Sequence, residues 1–401
     1  MSKLIITPWQ SGILTALISD KRAVSLNYEP ASNSSELNNI YIGKVKNIVR
    51  NIDAAFVEYG DGRMGYYSLT ENRQHIFADR KPHDGLRSGD EIVVQVVKDS
   101  VKAKAPVLSC YLNFTGKYCV LTAGKPSIGF SGKLTDQEKK ADLKSRISKV
   151  KDGSFGVIVR TNAQYVEPEA VLAELELLKS RYTELLEQAL YRTCHSMLFE
   201  TPPAYVTSIR DSYSAELSEL LTDGPELYAQ MKGYLEWYQP EDLEKLRFYE
   251  DESFPLTKLY SLDTAVSQAL NKKVWLKSGG YLVIEPTEAL VVIDVNTGKY
   301  SGRKNQRDTI LKINQEAAVE IAYQMRLRNL SGIIIVDFID MEESEDRELL
   351  MRTLEKATAA DPVKTTVVGI SKLNLVEMTR KKIRRPFYEQ LQAAGINGAA
   401  L

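Results

Sequence analysis

The fold of the C-terminal part is decided by ALVVIDVN at residues 289–296 and GIIIVDFIDM at residues 332–341. Both stretches begin with short runs of Val, Ile and Leu, which are typical of buried strands. Between them, TILKINQEAAVEIAYQMRLRNL (309–330) has apolar side chains at helical spacing. A helix between two strands provides the crossover that parallel strands require, and strand and helix patterns alternate up to KTTVVGIS. The sequence therefore predicts an α/β domain over residues 278–401 with a largely parallel sheet.

Both strands end in an aspartate. Asp294 and Asn296 are two residues apart on an extended chain, so their side chains point to one face. A right-handed crossover makes the two strands parallel and so brings Asp337 to the same edge of the sheet. Neighbouring strands are about 4.8 Å apart, so the two carboxylates are close enough to share one cation. Two carboxylates at this spacing are suitable ligands for Mg²⁺ or Mn²⁺. Asp and Asn at strand ends also act as turn or cap residues, so both interpretations stay open here, as they do for Asp340.

Length and composition indicate a globular protein of several domains. The chain has 401 residues, of which 43% are hydrophobic and 26% charged, as in average globular proteins. Its first residues form only short apolar runs, which predicts a cytoplasmic protein without a signal peptide or membrane span. The sequence contains three cysteines without a CxxC pair, which argues against a structural zinc site. It contains only three histidines, so a Ser-His-Asp triad is also improbable, and we expect carboxylates to perform any catalysis. A net charge of -1 neither supports nor excludes a nucleic-acid partner.

Three further segments precede the α/β domain. Residues 39–121 contain five short strands separated by turn residues, which predicts a small OB-type barrel. Residues 122–199 combine the strand GVIVRT with two helical patterns, TDQEKKADLKSRISKV (135–150) and PEAVLAELELLKSRYTELLEQAL (168–190). In residues 200–277, we predict AYVTSIR to be a strand and SAELSELL a helix. The N-terminal strands lack nearby partners, so they are expected to pair with this third segment, which gives a domain split into 1–38 and 200–277.

Several motifs resemble the ribonuclease E/G family. The C-terminal part contains IDVNTGKYSG (293–302), QMRLRNLSGIIIVDFIDM (324–341) and LVEMTRKKIR (375–384), which resemble the catalytic region of that family. The resemblance extends, in the family's order, to IYIGKVKNIVRNIDAAFVEYGDGRMGYYSL (40–69) and GVIVRT (156–161). It implies an OB-fold RNA-binding barrel and a 5′-phosphate sensor domain inserted into a split RNase H-like domain, followed by a DNase I-like catalytic domain.

The resemblance also implies an activity and a cofactor. Family members are magnesium-dependent endoribonucleases that hydrolyse single-stranded RNA in RNA processing and decay. Asp294 and Asp337 match the aspartates that bind magnesium, and Asn296 matches the asparagine that supports the attack on phosphate. This agrees with the metal interpretation drawn from strand geometry.

A sensor for RNA 5′ ends is implied as well. Arg160 and Thr161 match the family's Arg-Thr pair that binds a 5′-monophosphate, and Lys364 falls where the family has a further basic residue near that pocket. An arginine can hold a terminal phosphate through two donors, and a threonine adds a hydroxyl. From the residues alone, the favoured interpretation of Arg160 is a solvated cation at a strand end.

In the barrel, Phe56 and Tyr66 match aromatic residues that stack on RNA bases, and Lys104 matches a basic residue of the same surface. Such stacking ignores sequence and contributes about 1–3 kcal/mol per base. The alternative is that the aromatic rings belong to the barrel core, because the residues around Phe56 leave its direction undecided.

One departure from the family concerns zinc. Its better-known members follow the LVEMTR segment with a cysteine pair that shares zinc between subunits, whereas RRPFYEQLQAAGINGAAL (384–401) contains no cysteine. We therefore expect no structural zinc and no zinc-linked dimer, although homo-oligomers through another surface stay open. The basic residues nearby are expected to bind RNA phosphates or to form a solvated surface. They are Arg380, Lys381, Lys382, Arg384 and Arg385.

Two other functions compete with a ribonuclease. A catalytically inactive RNA-binding protein of the same architecture would keep the barrel and sensor surfaces but not the chemistry. A magnesium phosphoesterase acting on DNA or small nucleotides would keep the metal site, which by itself does not select a substrate. The complete Asp294, Asn296 and Asp337 set argues against the first, and the aromatic barrel surface argues against the second.

Overall fold

The structure, a computed structural model, describes residues 2–31, 35–100, 104–212, 217–298 and 306–396. The chain forms two compact units. The first unit comprises Met1–Ser32, Leu217–Lys232 and Glu244–Leu401, and the second comprises Asn33–Glu216 and Gly233–Leu243. Among the described helices, none is long and apolar enough to cross a membrane.

The strands are short and are distributed over four sheets. In chain order they are β1 (Ser2–Trp9), β2 (Gly12–Ser19), β3 (Arg22–Pro30), β4 (Ile40–Val49), β5 (Ala54–Gly60), β6 (Arg63–Ser68), β7 (Glu91–Lys98), β8 (Val107–Ser109), β9 (Asn113–Thr115), β10 (Cys119–Ala123), β11 (Ile128–Phe130), β12 (Phe155–Val159), β13 (Met197–Phe199), β14 (Leu217–Thr222), β15 (Leu246–Phe248), β16 (Lys273–Trp275), β17 (Tyr281–Pro286), β18 (Leu290–Asn296), β19 (Gly332–Asp337), β20 (Thr365–Ile370) and β21 (Leu375–Arg380).

The helices vary from one turn to six turns in length. In chain order they are α1 (Gln137–Val150), α2 (Pro168–Ala189), α3 (Ala204–Asp211), α4 (Pro225–Tyr238), α5 (Leu256–Leu259), α6 (Leu262–Leu270), α7 (Gln306–Leu327), α8 (Ser344–Ala359) and α9 (Phe387–Ala393).

The second unit contains the predicted barrel. Strands β4, β5, β6, β8 and β7 pair in that order, and β7 pairs again with β4, so the five strands close on themselves. Alternate side chains such as Ala55, Val57 and Tyr59 fill its interior. The prediction of a five-stranded OB-type barrel is therefore confirmed. The predicted strand PVLSCYLNF is divided, because β8 stays in the barrel while β9 joins the next sheet.

This unit also contains a sheet of order β11-β12-β10-β9, which packs against α1 and α2. The two helices lie where the sequence predicts them. Asp136 caps α1 by accepting a hydrogen bond from the Lys139 N–H, 3.0 Å away. Pro168 occupies the first turn of α2, where its missing N–H costs no hydrogen bond.

In the first unit, the N-terminal strands do pair with a later segment. The sheet order is β15-β14-β1-β2-β3, with β1 parallel to β14. Two predictions within that segment are wrong. The stretch AYVTSIR lies in helix α3, which follows Pro203 at its N-cap, and Leu217–Thr222, at the end of SAELSELL, forms the strand β14 because it pairs with β1. The exact domain boundaries stay predictions.

The C-terminal sheet positions the candidate site. Its order is β16-β17-β18-β19-β21-β20, and helices α7 and α8 cover one face. Among the described strands of this sheet, β18 and β19 alone pair in parallel and the other pairs are antiparallel, so the prediction of a largely parallel sheet is wrong. The reason is that short turns join β16 to β17, β17 to β18 and β20 to β21, and strands joined by a short turn pair antiparallel.

Candidate active site

The two predicted metal-binding aspartates lie side by side. In the parallel pair of β18 and β19, Asp294 is the direct register partner of Asp337. Both side chains are exposed, whereas Ile293 and Val336 point to the opposite face and pack under the helices. Adjacent strands are about 4.8 Å apart, so one cation can reach both carboxylates. The strand, helix and strand order of the sequence thus brings the predicted pair together.

Asn296 is bonded to this pair. Its Nδ2 donates a hydrogen bond of 2.6 Å to Oδ2 of Asp294. The contact follows from the two-residue repeat of an extended chain, which places both side chains on one face. An amide in this position holds the Asp294 carboxylate in one orientation and leaves its other oxygen for a ligand.

The charges at this edge favour a cation. Partial burial raises the pKa of Asp337 above its ordinary value, and the negative charges of Asp294 and Asp340 raise it further. Asp340 is therefore close enough to act electrostatically. It does not cap the next helix, because α8 begins after Glu343. In the described ranges, no group of three or more Asp, Glu, His or Cys residues could hold a metal. Two carboxylates are nevertheless sufficient for Mg²⁺, which keeps several waters in such sites.

We expect Asp337→Asn to raise the melting temperature in a chelator at pH 7. The pKa of Asp337 is raised in the folded state, so its ionised form weakens the fold above that pKa, and the effect disappears as the pH falls through it. Excess Mg²⁺ should reverse the ranking, because a ligand at about 100 times its Kd adds about 2.7 kcal/mol to wild-type stability only. Thermal melts at pH 5 and 8 would check both parts. Equal Mg²⁺ stabilisation of both proteins would argue against the metal site.

The predicted sensor residues occupy the second unit. Arg160 follows β12, where its Nη1 donates to the Gly116 carbonyl at 2.6 Å and its Nη2 donates to Asp211 Oδ1 at 2.8 Å. The Thr161 hydroxyl lies 2.8 Å from that of Ser131. Since the Arg160 side chain is only 25% exposed and bonded on two sides, its interpretation as a solvated cation is wrong.

Asp211 and Arg210 belong to the same cluster, and sequence reasoning missed both. Burial acts to raise the pKa of Asp211, but the charges of Arg210 and Arg160 outweigh it and lower the pKa to about 2. Asp211 therefore stays ionised and holds two like-charged guanidinium groups together. The available signal was the Arg-Asp pair in SIRDS, which the wrong strand prediction for AYVTSIR obscured.

Lys364 lies in the other unit. It is exposed and precedes β20 directly, so its role next to Arg160 and Thr161 stays a prediction.

On the barrel, the predicted aromatic residues face outward. Phe56 and Tyr66 are register partners on β5 and β6, with ring centroids 6.2 Å apart and an edge-to-face angle of 75°. Both are half-buried, and their neighbours in sequence fill the barrel, so Phe56 is not a core residue. Lys104 is exposed and lies two residues before Pro106, whose carbonyl accepts the Tyr66 N–H at 2.8 Å. Phe56 and Tyr66 thus lie on neighbouring strands, and Lys104 lies in the segment that leads into β8.

The predicted basic cluster is divided by the structure. Arg380 is 4% exposed, and its guanidinium binds both oxygens of Asp361 at 2.7 and 3.3 Å. It cannot contact RNA phosphates, because it points to the buried face at the end of β21. Lys381, Lys382 and Arg385 are exposed, and Arg384 is half-buried.

Comparison with known proteins identifies relatives over nearly the whole chain. The model of the Ribonuclease E/G family matches residues 113–383. The chain is 32% identical to Ribonuclease G of Escherichia coli K12 over 393 residues, which cover 96% of this chain and 80% of that protein. It is also 32% identical to Ribonuclease E of Synechocystis sp. over 366 residues, covering 90% of this chain and 54% of that protein.

Proposed function

The chain belongs to the ribonuclease E/G family, and from this premise we propose that it is a magnesium-dependent endoribonuclease that hydrolyses single-stranded RNA. The names of its relatives support an enzyme of RNA processing. The observation that carries the metal-dependent chemistry is the pairing of Asp294 with Asp337 on adjacent strands. Both are exposed on a face that no helix covers among the described residues.

Each residue of the site then has a defined part. Asp294 and Asp337 would hold the cation, which when bound supplies the Lewis acidity needed to hydrolyse a phosphodiester. Asn296 orients the Asp294 carboxylate through its 2.6 Å hydrogen bond and offers its remaining N–H to a phosphate oxygen or water. Phe56 and Tyr66 on the barrel provide rings for bases of any sequence, which suits an enzyme that acts on varied transcripts.

The direct test is cleavage of a purified 5′-monophosphorylated, fluorescent oligoribonucleotide with and without Mg²⁺. Shorter fluorescent products only with Mg²⁺ are expected. RNA that is bound but intact under every metal condition would favour an inactive RNA-binding protein. Equal cleavage of the matching DNA would favour a phosphoesterase without RNA preference.

We also propose that Arg160 and Thr161 bind the 5′-monophosphate of the substrate. Two hydrogen bonds hold the Arg160 guanidinium in place, to Gly116 and to Asp211, and an arginine has five N–H donors. The remaining donors and the Thr161 hydroxyl suit a terminal phosphate. Charge-assisted bonds of this kind contribute about 1.5–3 kcal/mol, which corresponds to about ten-fold or more in preference.

Accordingly, Arg160→Gln should remove most of the preference for 5′-monophosphate over 5′-hydroxyl RNA. The rate on 5′-hydroxyl RNA should be nearly unchanged, because that substrate does not use the pocket and Asp211 retains Arg210 as a partner. Parallel kcat/KM measurements on both substrates check this. If Arg160→Gln slows both substrates equally, the arginine is structural. If wild type shows no preference, the pocket is not a sensor in this protein.

A further inference from the structure

The exposed face of the catalytic sheet carries an aromatic pair that the proposed reaction does not use. In the register of the sheet, Trp275 on β16 lies opposite Tyr281 on β17, and Tyr281 lies opposite Asn296 on β18. The three side chains therefore form one row across adjacent strands. Asn296 is the residue that binds Asp294, so this row ends at the proposed catalytic pair.

A second row runs beside the first. Lys273 on β16 lies opposite Val283 on β17, and Val283 lies opposite Asp294, which pairs with Asp337. A lysine is thus placed on the same face as the aspartates, two strands away. Two strand spacings correspond to about 10 Å between backbones.

Trp275 is open to solvent, and Tyr281 beside it is half-buried. Trp275 is 62% exposed, and its ring centroid lies 5.3 Å from that of Tyr281 at an angle of 60°. The Lys273 Nζ lies 3.5 Å from the Tyr281 ring centroid and 4.2 Å from the Trp275 ring centroid. No described carboxylate forms an ion pair with Lys273, so the rings are its recorded partners within the described residues.

An exposed tryptophan beside a lysine that contacts aromatic rings is suited to single-stranded nucleic acid. Every base has a flat face that can stack on an aromatic ring, and a nearby ammonium attracts the phosphate backbone. A purely structural role explains the exposure less well, because a tryptophan that serves packing buries most of its large apolar surface.

We propose that Trp275, Tyr281 and Lys273 form a base-stacking subsite for a nucleotide of the RNA strand close to the cleaved phosphate. Its ligand class is single-stranded RNA of any sequence, since stacking does not distinguish bases. The inference rests on the proposed function, because the strand register connects the subsite to Asp294 and Asp337. The subsite would contact RNA on the catalytic sheet, in addition to the contacts proposed for Phe56 and Tyr66 on the barrel.

Tryptophan fluorescence offers a direct test, since the chain has three tryptophans. Trp9 is buried, at 6% exposure, while Trp237 is 73% exposed on α4 and provides a matched control. A short 5′-hydroxyl oligoribonucleotide would be titrated in a chelator, so that neither cleavage nor a 5′-phosphate contributes. RNA should quench wild type and Trp237→Phe, and most of this quenching should be absent in Trp275→Phe.

The Kd for the oligoribonucleotide distinguishes a stacking role of Trp275 from a purely structural one. Trp275→Ala should raise the Kd for the oligoribonucleotide about ten-fold, whereas Trp275→Phe, which retains a ring, should keep the wild-type Kd within about two-fold. In cleavage assays, Trp275→Ala should raise KM and leave kcat within about three-fold. Circular dichroism melts would show that each variant is folded.

An unchanged Kd in Trp275→Ala, or full quenching in Trp275→Phe, would overturn the subsite. Should Trp275→Ala fail to fold, Trp275→Phe still decides through its quenching. Because the titration contains no metal and measures no cleavage, it is independent of catalysis. A protein that binds through Trp275 but never cleaves would contradict the proposed function and leave the subsite intact.

Discussion

Replacing either Asp294 or Asp337 by Asn will lower RNA cleavage at saturating Mg²⁺ by at least about a hundred-fold. Asparagine keeps the shape of aspartate but removes one negative charge from a site with two facing carboxylates. The loss should therefore appear in metal binding and in kcat, while RNA affinity and folding are retained. Single-turnover cleavage of a 5′-monophosphorylated oligoribonucleotide measures the effect.

Glu285→Gln is a matched control for this pair, because Glu285 is exposed on the same sheet and lies opposite Val292 rather than an acid. It should change cleavage by less than about three-fold. Mn²⁺ should support the wild-type reaction better than Ca²⁺, whose larger and looser coordination positions ligands poorly. Cleavage above a tenth of the wild-type rate in both aspartate variants would refute the assignment.

Arg380→Met will destabilise the protein by about 3–5 kcal/mol, because it removes the guanidinium that binds both oxygens of the buried Asp361 carboxylate. The Arg380 and Asp361 side chains are 3% and 4% exposed, and Arg380 also donates to Asn329 Oδ1 and the Leu330 carbonyl. Urea unfolding monitored by circular dichroism measures the loss.

Lys382→Met provides the comparison, since Lys382 is exposed two residues further along. It should change the free energy of unfolding by less than about 0.5 kcal/mol. A loss below about 1 kcal/mol in Arg380→Met would show that the ion pair with Asp361 is not an important source of stability.

Secondary structure was predicted correctly from the sequence where the local pattern of residues agrees with the overall fold. The OB-type barrel followed from its short strands separated by turns, and α1 and α2 followed from their helical spacing. The pairing of Asp294 with Asp337 was predictable because a helix between two strands provides the crossover that lets adjacent strands run parallel. The predicted parallel pairing of these two strands is confirmed, although the neighbouring strands pair antiparallel.

Errors arose where partners distant in sequence decide the conformation. Strand β14 exists because it pairs with β1, more than 200 residues earlier, and propensity alone favoured a helix there. The direction of β21 depends on its insertion between β19 and β20, which no local pattern specifies. The role of Asp211 was also invisible, since it contacts Arg160 only once α3 has folded as a helix.

By itself, the sequence therefore determined the chemistry of the candidate site: its residue types, the strands that carry Asp294 and Asp337, and the resemblance to the ribonuclease E/G family. Only the tertiary structure decided which charged residues are available to ligands. Arg380 and Lys382 belong to one basic run of the sequence and cannot be told apart there. Side chains of β21 alternate between the buried and the exposed face, so Arg380 is buried against Asp361, whereas Lys382 lies beyond the strand and is exposed. Whether a side chain is buried depends on neighbours that long-range strand pairing brings together, and composition and spacing do not predict which residues those neighbours are.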